Sequence, residues 1–120
     1  MSANKILIVE DDDAIREYLA TALTEAGVVF DEAEHGHRAV ELALANDYDV
    51  IFMDIEMPFL DGIEATQQIR QAKGPHWPPR IVAMTARDYS MTAVTLAVSG
   101  FDDFVQKPFS EAELLSKIGK

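Results

Sequence analysis

Residues 6–9 read Ile6-Leu7-Ile8-Val9, and Glu10-Asp11-Asp12-Asp13 follows at once. An apolar, β-branched-rich run of that length has the signature of a strand buried on both faces. Beyond the acids, Ile15, Leu19, Ala22, Leu23 and Ala26 recur at helical spacing, and Gly27 offers the left-handed residue that closes a helix. One of the three aspartates is expected to cap that helix. The unit is therefore strand, acidic turn, helix, and its recurrence decides the fold.

Working outward, Val28-Val29-Phe30 predicts a second strand, and Arg38 to Ala45 a helix with Gly36 near its start. Val50-Ile51-Phe52-Met53 is a third strand, apolar on both faces. Ile63, Thr66 and Ile69 mark a third helix stopped by Gly74-Pro75. Ile81-Val82-Ala83-Met84 is strand four, a helix is expected over 90–99 before Gly100, and Phe104-Val105 is strand five. Ser110 and Glu113 form a capping box for a last helix carrying Leu114, Leu115 and Ile118. Between Gly74 and Pro79 the chain is a stiff connection in which Trp77 is expected to anchor a surface loop. The fold class is α/β: a (βα)5 doubly wound, five-stranded parallel sheet in a single domain over 1–120. Right-handed crossovers then bring all strand C-termini to one edge, where such sheets carry their sites.

The 120 residues contain no cysteine, which excludes disulfides and thiolate metal centres. No apolar run approaches the ~20 residues of a membrane span, and the first residues lack a signal-peptide core, so a cytoplasmic domain without membrane contact is expected. The net charge of −11 is unevenly placed. Residues 1–60 hold 14 acids against three bases, whereas 61–120 hold seven of each. A nucleic-acid binder needs the opposite sign, so direct nucleic-acid binding is excluded.

The residues after each strand carry the chemistry: Glu10, Asp11 and Asp12 after strand one, Asp54 after strand three, Thr85 and Ala86 after strand four, Lys107 and Pro108 after strand five. In a parallel sheet they converge on one pocket. Clustered carboxylates repel until one protonates or a cation binds. Oxygen donors without His or thiolate favour Mg2+, which keeps open positions for phosphoryl oxygens. Asp54 ends an apolar strand and has little structural reason to be there. A carboxylate so placed can attack phosphorus and become an aspartyl phosphate. Lys107 and the metal would neutralise the phosphoryl oxygens, and the Thr85 hydroxyl could donate to one of them.

At these residues the chain resembles the receiver (CheY-like) domain of two-component response regulators. The matching stretches are Ile6 to Asp12, Asp54-Ile55-Glu56-Met57-Pro58 with Asp61-Gly62, Met84-Thr85-Ala86, and Phe101 to Phe109. The stretch Met57 to Thr66 is also similar to receivers of hybrid sensor histidine kinases. The resemblance implies a flavodoxin-like strand order of 2-1-3-4-5. It implies a phosphorelay switch rather than a conventional enzyme, with Asp54 as phosphoacceptor and some capacity to catalyse its own dephosphorylation. Asp11 and Asp54 would ligate Mg2+, Glu56 would add its backbone carbonyl, and Glu10 would act through water. Lys107, aimed by a cis bond before Pro108, would pair with the phosphoryl group. Thr85 and Phe104 would be the switch pair, with the small Ala86 leaving room for the motion. Glu56 and Arg87 would tune phosphoryl lifetime by pairing across the pocket mouth. The state would be read at the face of the helix over 90–99, strand five and the last helix, which could also serve a dimer. Implied partners are a histidine kinase or histidine phosphotransfer domain as donor, and a downstream effector or attached kinase domains.

Two features stand apart from that pattern. Residues 91–99 hold no charged side chain, which suits either tight packing or a partner surface. Only 11 residues follow Phe109, so a short last helix and an excised or single-domain receiver are expected.

Three other functions fit less well. A haloacid-dehalogenase-type phosphohydrolase would place its further acids after the nucleophile, whereas Glu10-Asp11 precede Asp54. An FMN site after strand one would set four acids against a phosphate. An EF-hand from Asp11 fails at Arg16 and Ala22, where Gly and Glu belong.

Overall fold

A computed structural model describes residues 5–74, 79–86 and 98–119. Its elements are β1 (Lys5–Val9), α1 (Asp13–Glu25), β2 (Val29–Ala33), α2 (Gly36–Ala45), β3 (Val50–Asp54), α3 (Gly62–Lys73), β4 (Arg80–Thr85), β5 (Asp103–Gln106) and α4 (Glu111–Ser116). All strand pairs are parallel, in the order β2-β1-β3-β4-β5. The expected helix over 90–99 and the Trp77 anchor lie outside the described residues, apart from Val98 and Ser99, which are helical.

The strands alternate their side chains between two cores. Leu7, Val9, Ile51, Met53, Ile81 and Ala83 pack against Ala39 and Ala43 of α2 and Ala65 and Ile69 of α3. Ile6, Ile8, Phe52, Val82, Met84 and Val105 pack on the other face against Leu19 and Leu23 of α1 and Leu114 of α4. Every residue of β3 is buried, as a central strand covered on both sides requires.

Local signals set the helix ends. Asp12 caps α1, its carboxylate accepting from the Ala14 and Ile15 amides at 2.9 and 3.1 Å, and Gly27 follows with φ 73°. Reciprocal capping boxes start α3 (Asp61 and Glu64) and α4 (Ser110 and Glu113). The other strands run one residue past the expected runs at one end or both, and β2 and α2 depart further from the periodicity reading. β2 begins one residue later than expected and runs to Ala33, carrying Asp31 inside it, because the buried Tyr48 hydroxyl donates to Asp31 at 2.6 Å. Burial and the Asp31 carboxylate together push the Tyr48 phenol well above its ordinary value. α2 begins at Gly36, two residues early, because the His35 imidazole accepts from the Arg38 amide at 3.1 Å and acts as cap.

Candidate functional site

β1, β3 and β5 end at one edge and deliver Glu10, Asp54 and Lys107 to a common pocket. Glu10 is 1% exposed. Its amide donates to Ala33 O at 3.1 Å, and its carbonyl accepts from Arg16 Nη1 at 2.8 Å. Its Oε2 accepts from the Asp12 amide at 3.2 Å. Lys107 Nζ approaches Oε1 to 2.8 Å, an ion-pair contact whose direction leaves that oxygen without an aligned hydrogen bond.

Asp54 is 2% exposed at the end of β3. Its Oδ1 accepts from the Glu56 amide and from Lys107 Nζ, each at 3.2 Å. The α3 N-terminus stands directly behind it. A Cβ on Gly62 would fall 2.1 Å from the Asp54 carbonyl oxygen, so only glycine admits this approach. Burial first, and the Glu10 charge second, push the Asp54 carboxyl up to about 8 from 3.8, against the opposing pull of Lys107. Burial pulls the Lys107 ammonium down, but Glu10 and Asp54 together carry it above its ordinary value.

Asp11 completes the cluster from an exposed position. One carboxylate oxygen from each of Glu10, Asp11 and Asp54 lies within 4.8 Å of the others. The donor set suits a hard divalent cation: it is all oxygen, it includes a buried carboxylate oxygen lacking an aligned donor, and burial and the Glu10 charge push its central acid up more than Lys107 pulls it down. Asp12 and Asp13 are otherwise engaged, Asp12 as the α1 cap and Asp13 with Arg16 Nη2 at 2.5 Å.

Thr85 ends β4, 1% exposed, with its hydroxyl donating to Val105 O at 3.4 Å. Its carbonyl accepts from the Lys107 amide at 2.7 Å, so the two residues share one backbone bond. The Lys107–Pro108 peptide is cis. Phe104 lies on β5 with its ring partly outward, 40% exposed. The Glu56 side chain is exposed, and its proposed partner Arg87 lies outside the described residues, as does their pairing. Beside Lys107, a recess of about 660 Å³ is lined chiefly by Ala14, Ile15, Tyr18, Pro108 and Phe109.

Four residues hold this arrangement in roles that the sequence pattern does not assign to them. Arg16 links the Glu10 carbonyl to Asp13 and, at 3.5 Å, to Glu32 at the end of β2. Gly62 admits α3 behind the acceptor. Gly36 lets the start of α2 press on the turn after β3, where a Cβ would meet Leu60 O at 2.3 Å. Arg70, nearly buried, donates to Pro79 O, Gly100 O and Asp102 and so ties α3 to the chain before β4 and before β5. The signal for Gly62 lay in its Asp-Gly pair; the two arginines carry no local signature.

A family model for the response regulator receiver domain matches residues 6–119. The transcriptional regulatory protein HprR of Escherichia coli is 38% identical over 114 residues, which are 95% of this chain and 49% of HprR. The chain thus spans about half the length of such curated relatives. The response regulator TrrA of Thermotoga maritima, solved in complex with Mg2+-BeF, is 34% identical with a TM-score of 0.82, covering 97% of this chain and 96% of that one. A co-crystal of the Saccharomyces cerevisiae histidine phosphotransfer protein Ypd1 with the receiver domain of its downstream response regulator Ssk1 matches at 30% identity and a TM-score of 0.85, covering 97% and 86%. Among the described residues no helix is long and apolar enough to cross a membrane. The buried aspartate ending β3, the acid pair after β1 and the lysine after β5 thus stand within a match running almost the length of the sequence, and the chain belongs to the receiver domains of two-component response regulators.

Proposed function

We propose that Asp54 accepts a phosphoryl group from a phosphohistidine and that the acyl phosphate so formed sets the signalling state. The observation that carries this reading is the Asp54 carboxylate, buried at a strand end with one oxygen held by the Glu56 amide and by Lys107. The other oxygen attacks phosphorus, the P–N bond to the donor imidazole breaks, and its electron pair returns to the ring nitrogen. Asp11 and Asp54 would hold Mg2+, with the Glu56 carbonyl as a further ligand and Glu10 as an outer partner acting through water. The bound cation supplies charge neutralisation for the phosphoryl oxygens. Lys107 then pairs with the phosphoryl group in place of a bare carboxylate. Thr85 exchanges its contact with Val105 O for a phosphoryl oxygen, and the Phe104 ring follows inward. The altered surface around β5 and α4 is read by an effector, attached or separate, or by a second copy. A histidine kinase or a histidine phosphotransfer domain is the donor, in the cytoplasm. Glu56 and Arg87 govern water access and hence the rate at which the domain hydrolyses its own acyl phosphate. Residues 1–120 serve as one receiver unit.

The test is intact mass spectrometry after incubation with acetyl phosphate and Mg2+. One added phosphoryl group, lost in Asp54→Asn and without Mg2+, is expected. Steady turnover of ordinary phosphomonoesters, or phosphorylation that survives Asp54→Asn, refutes the assignment.

A further inference from the structure

Phe59 sits on the turn between the acceptor strand and α3, and two facts about it are unusual together. Its backbone has φ 68°, the left-handed region that non-glycine residues avoid and that an aromatic side chain suits poorly. It is 95% exposed, the most of any large hydrophobic residue among those described and well above the other exposed aromatics, Tyr18 at 43% and Phe104 at 40%. Neither fact helps the fold. Asn or Gly would fit the backbone better and leave no apolar ring in water. Disfavoured backbone that persists beside an active site is a pointer to function.

The turn itself is firmly rooted. The Gly62 amide donates to Ile55 O at 3.0 Å, Leu60 is buried, and the Leu60 carbonyl packs against Gly36. Phe59 is therefore a projecting ring on a fixed base, five residues from Asp54. The acceptor is 2% exposed, so a protein that delivers phosphoryl to it must cover the pocket mouth. Among the described residues, that mouth is bordered by the turns after β1, β3 and β5. Across the sheet edge from Phe59, on the side of α1 and α4, lies the apolar recess of Tyr18 and Phe109. Asp11 and Asp12 on the turn after β1 and Glu56 on the turn after β3 are exposed acids at the same sheet edge.

From this arrangement we infer that Phe59 is a specificity-determining anchor for the protein that donates phosphoryl to Asp54. The partner of matching chemistry presents an apolar socket beside its phosphohistidine, edged by basic side chains that meet Asp11, Asp12 and Glu56. Buried aromatic anchors with a charged surround are the usual source of discrimination at such interfaces. The inference rests on the phosphoacceptor reading, and the experiment separates the two.

The variants are Phe59→Asn and Phe59→Gly, both compatible with a left-handed residue. Phosphorylation by acetyl phosphate, which needs no docking, is measured first and is expected to match wild type. The purified histidine kinases and phosphotransfer domains of the source organism, charged with radiolabelled phosphate, are then each offered to wild type and variants. For the donor fastest on wild type, kcat/KM is expected to fall about tenfold or more, with the loss in KM, and Phe59→Tyr is expected to restore most of it. Failure of acetyl phosphate to modify Asp54 in wild type overturns the phosphoacceptor reading. Normal acetyl phosphate chemistry with equal rates for wild type and Phe59→Asn from every donor overturns the anchor alone. Unchanged donor transfer with loss of a phosphorylation-dependent dimer, read by light scattering, also overturns it, by assigning the ring to a second copy of the chain.

Discussion

Asp54→Asn should stabilise the metal-free protein, although it destroys the residue on which the function depends. Burial and the Glu10 charge raise the Asp54 carboxyl to about 8, so at neutral pH folding takes up a proton that the unfolded chain lacks. The cost at pH 7 is the interval from 3.8 to neutrality at about 1.4 kcal/mol per pH unit, or at most ~4 kcal/mol. Relaxation and water entry at a pocket mouth reduce such costs, and we expect about 2 kcal/mol, near 8 °C in Tm for a chain of this size. Because the folded value lies above the unfolded one, the contribution of this group to stability is full below about pH 4 and is lost as the pH rises toward 8. The gap between variant and wild type should therefore be widest near pH 8 and close near pH 4. Urea unfolding with chelator present, followed by circular dichroism from pH 4 to 8, measures it. Adding Mg2+ should narrow the gap at neutral pH, since a cation at ~100 times its Kd adds about 2.7 kcal/mol to the form that binds it. Equal or lower stability of Asp54→Asn at pH 7 to 8, or a gap independent of pH, would refute the electrostatic account of the pocket.

Other substitutions probe the supports. Lys107→Ala removes the ammonium 2.8 Å from Glu10 and 3.2 Å from Asp54; it should lower metal-free stability by about 1–3 kcal/mol and slow phosphorylation at least tenfold while Mg2+ still binds, checked by urea titration and by mass spectrometry time courses. Arg70→Met removes the guanidinium from the Pro79 and Gly100 carbonyls and from Asp102, which keeps only the Ile81 amide on the same oxygen, and should cost about 2–4 kcal/mol in thermal unfolding, with little change in Mg2+ affinity. Gly62→Ala forces a methyl against the Asp54 carbonyl and should cost about 1–3 kcal/mol and depress the acetyl phosphate reaction as well; a variant that is destabilised but fully reactive would show that the acceptor does not lean on α3.

The alternation of apolar runs with helical periods made the parallel sheet and its functional edge readable, because both patterns are local. The same holds for Asp54, whose charge interrupts an otherwise apolar strand, and for the Ser110–Glu113 box. Asp31 misled because its partner, Tyr48, is 17 residues away and turns an acid that looks like a strand terminator into a strand residue. His35 carries no cap signal in sequence, because imidazole is an uncommon acceptor in that role. Arg16 and Arg70 look like solvated helix charges in sequence, yet each organises several backbone and carboxylate oxygens brought together only by tertiary packing. Gly36 and Gly62 mark close approaches between elements, and no period in the chain announces them.

The shortest strand, β5, has four residues and lies at the margin of the sheet, paired on one side only. Lys107 follows it directly, whereas Glu10 and Asp54 come from strands with neighbours on both sides. Segments of that kind open at lower free energy than the interior. A partial opening that frays β5 and α4 would thus withdraw the ammonium while the carboxylates stay in place. Hydrogen exchange should find the amides of Asp103 to Gln106 faster than those of Ile51 to Asp54. The acidic half of the centre is then as durable as the whole fold, and its counter-charge is detachable.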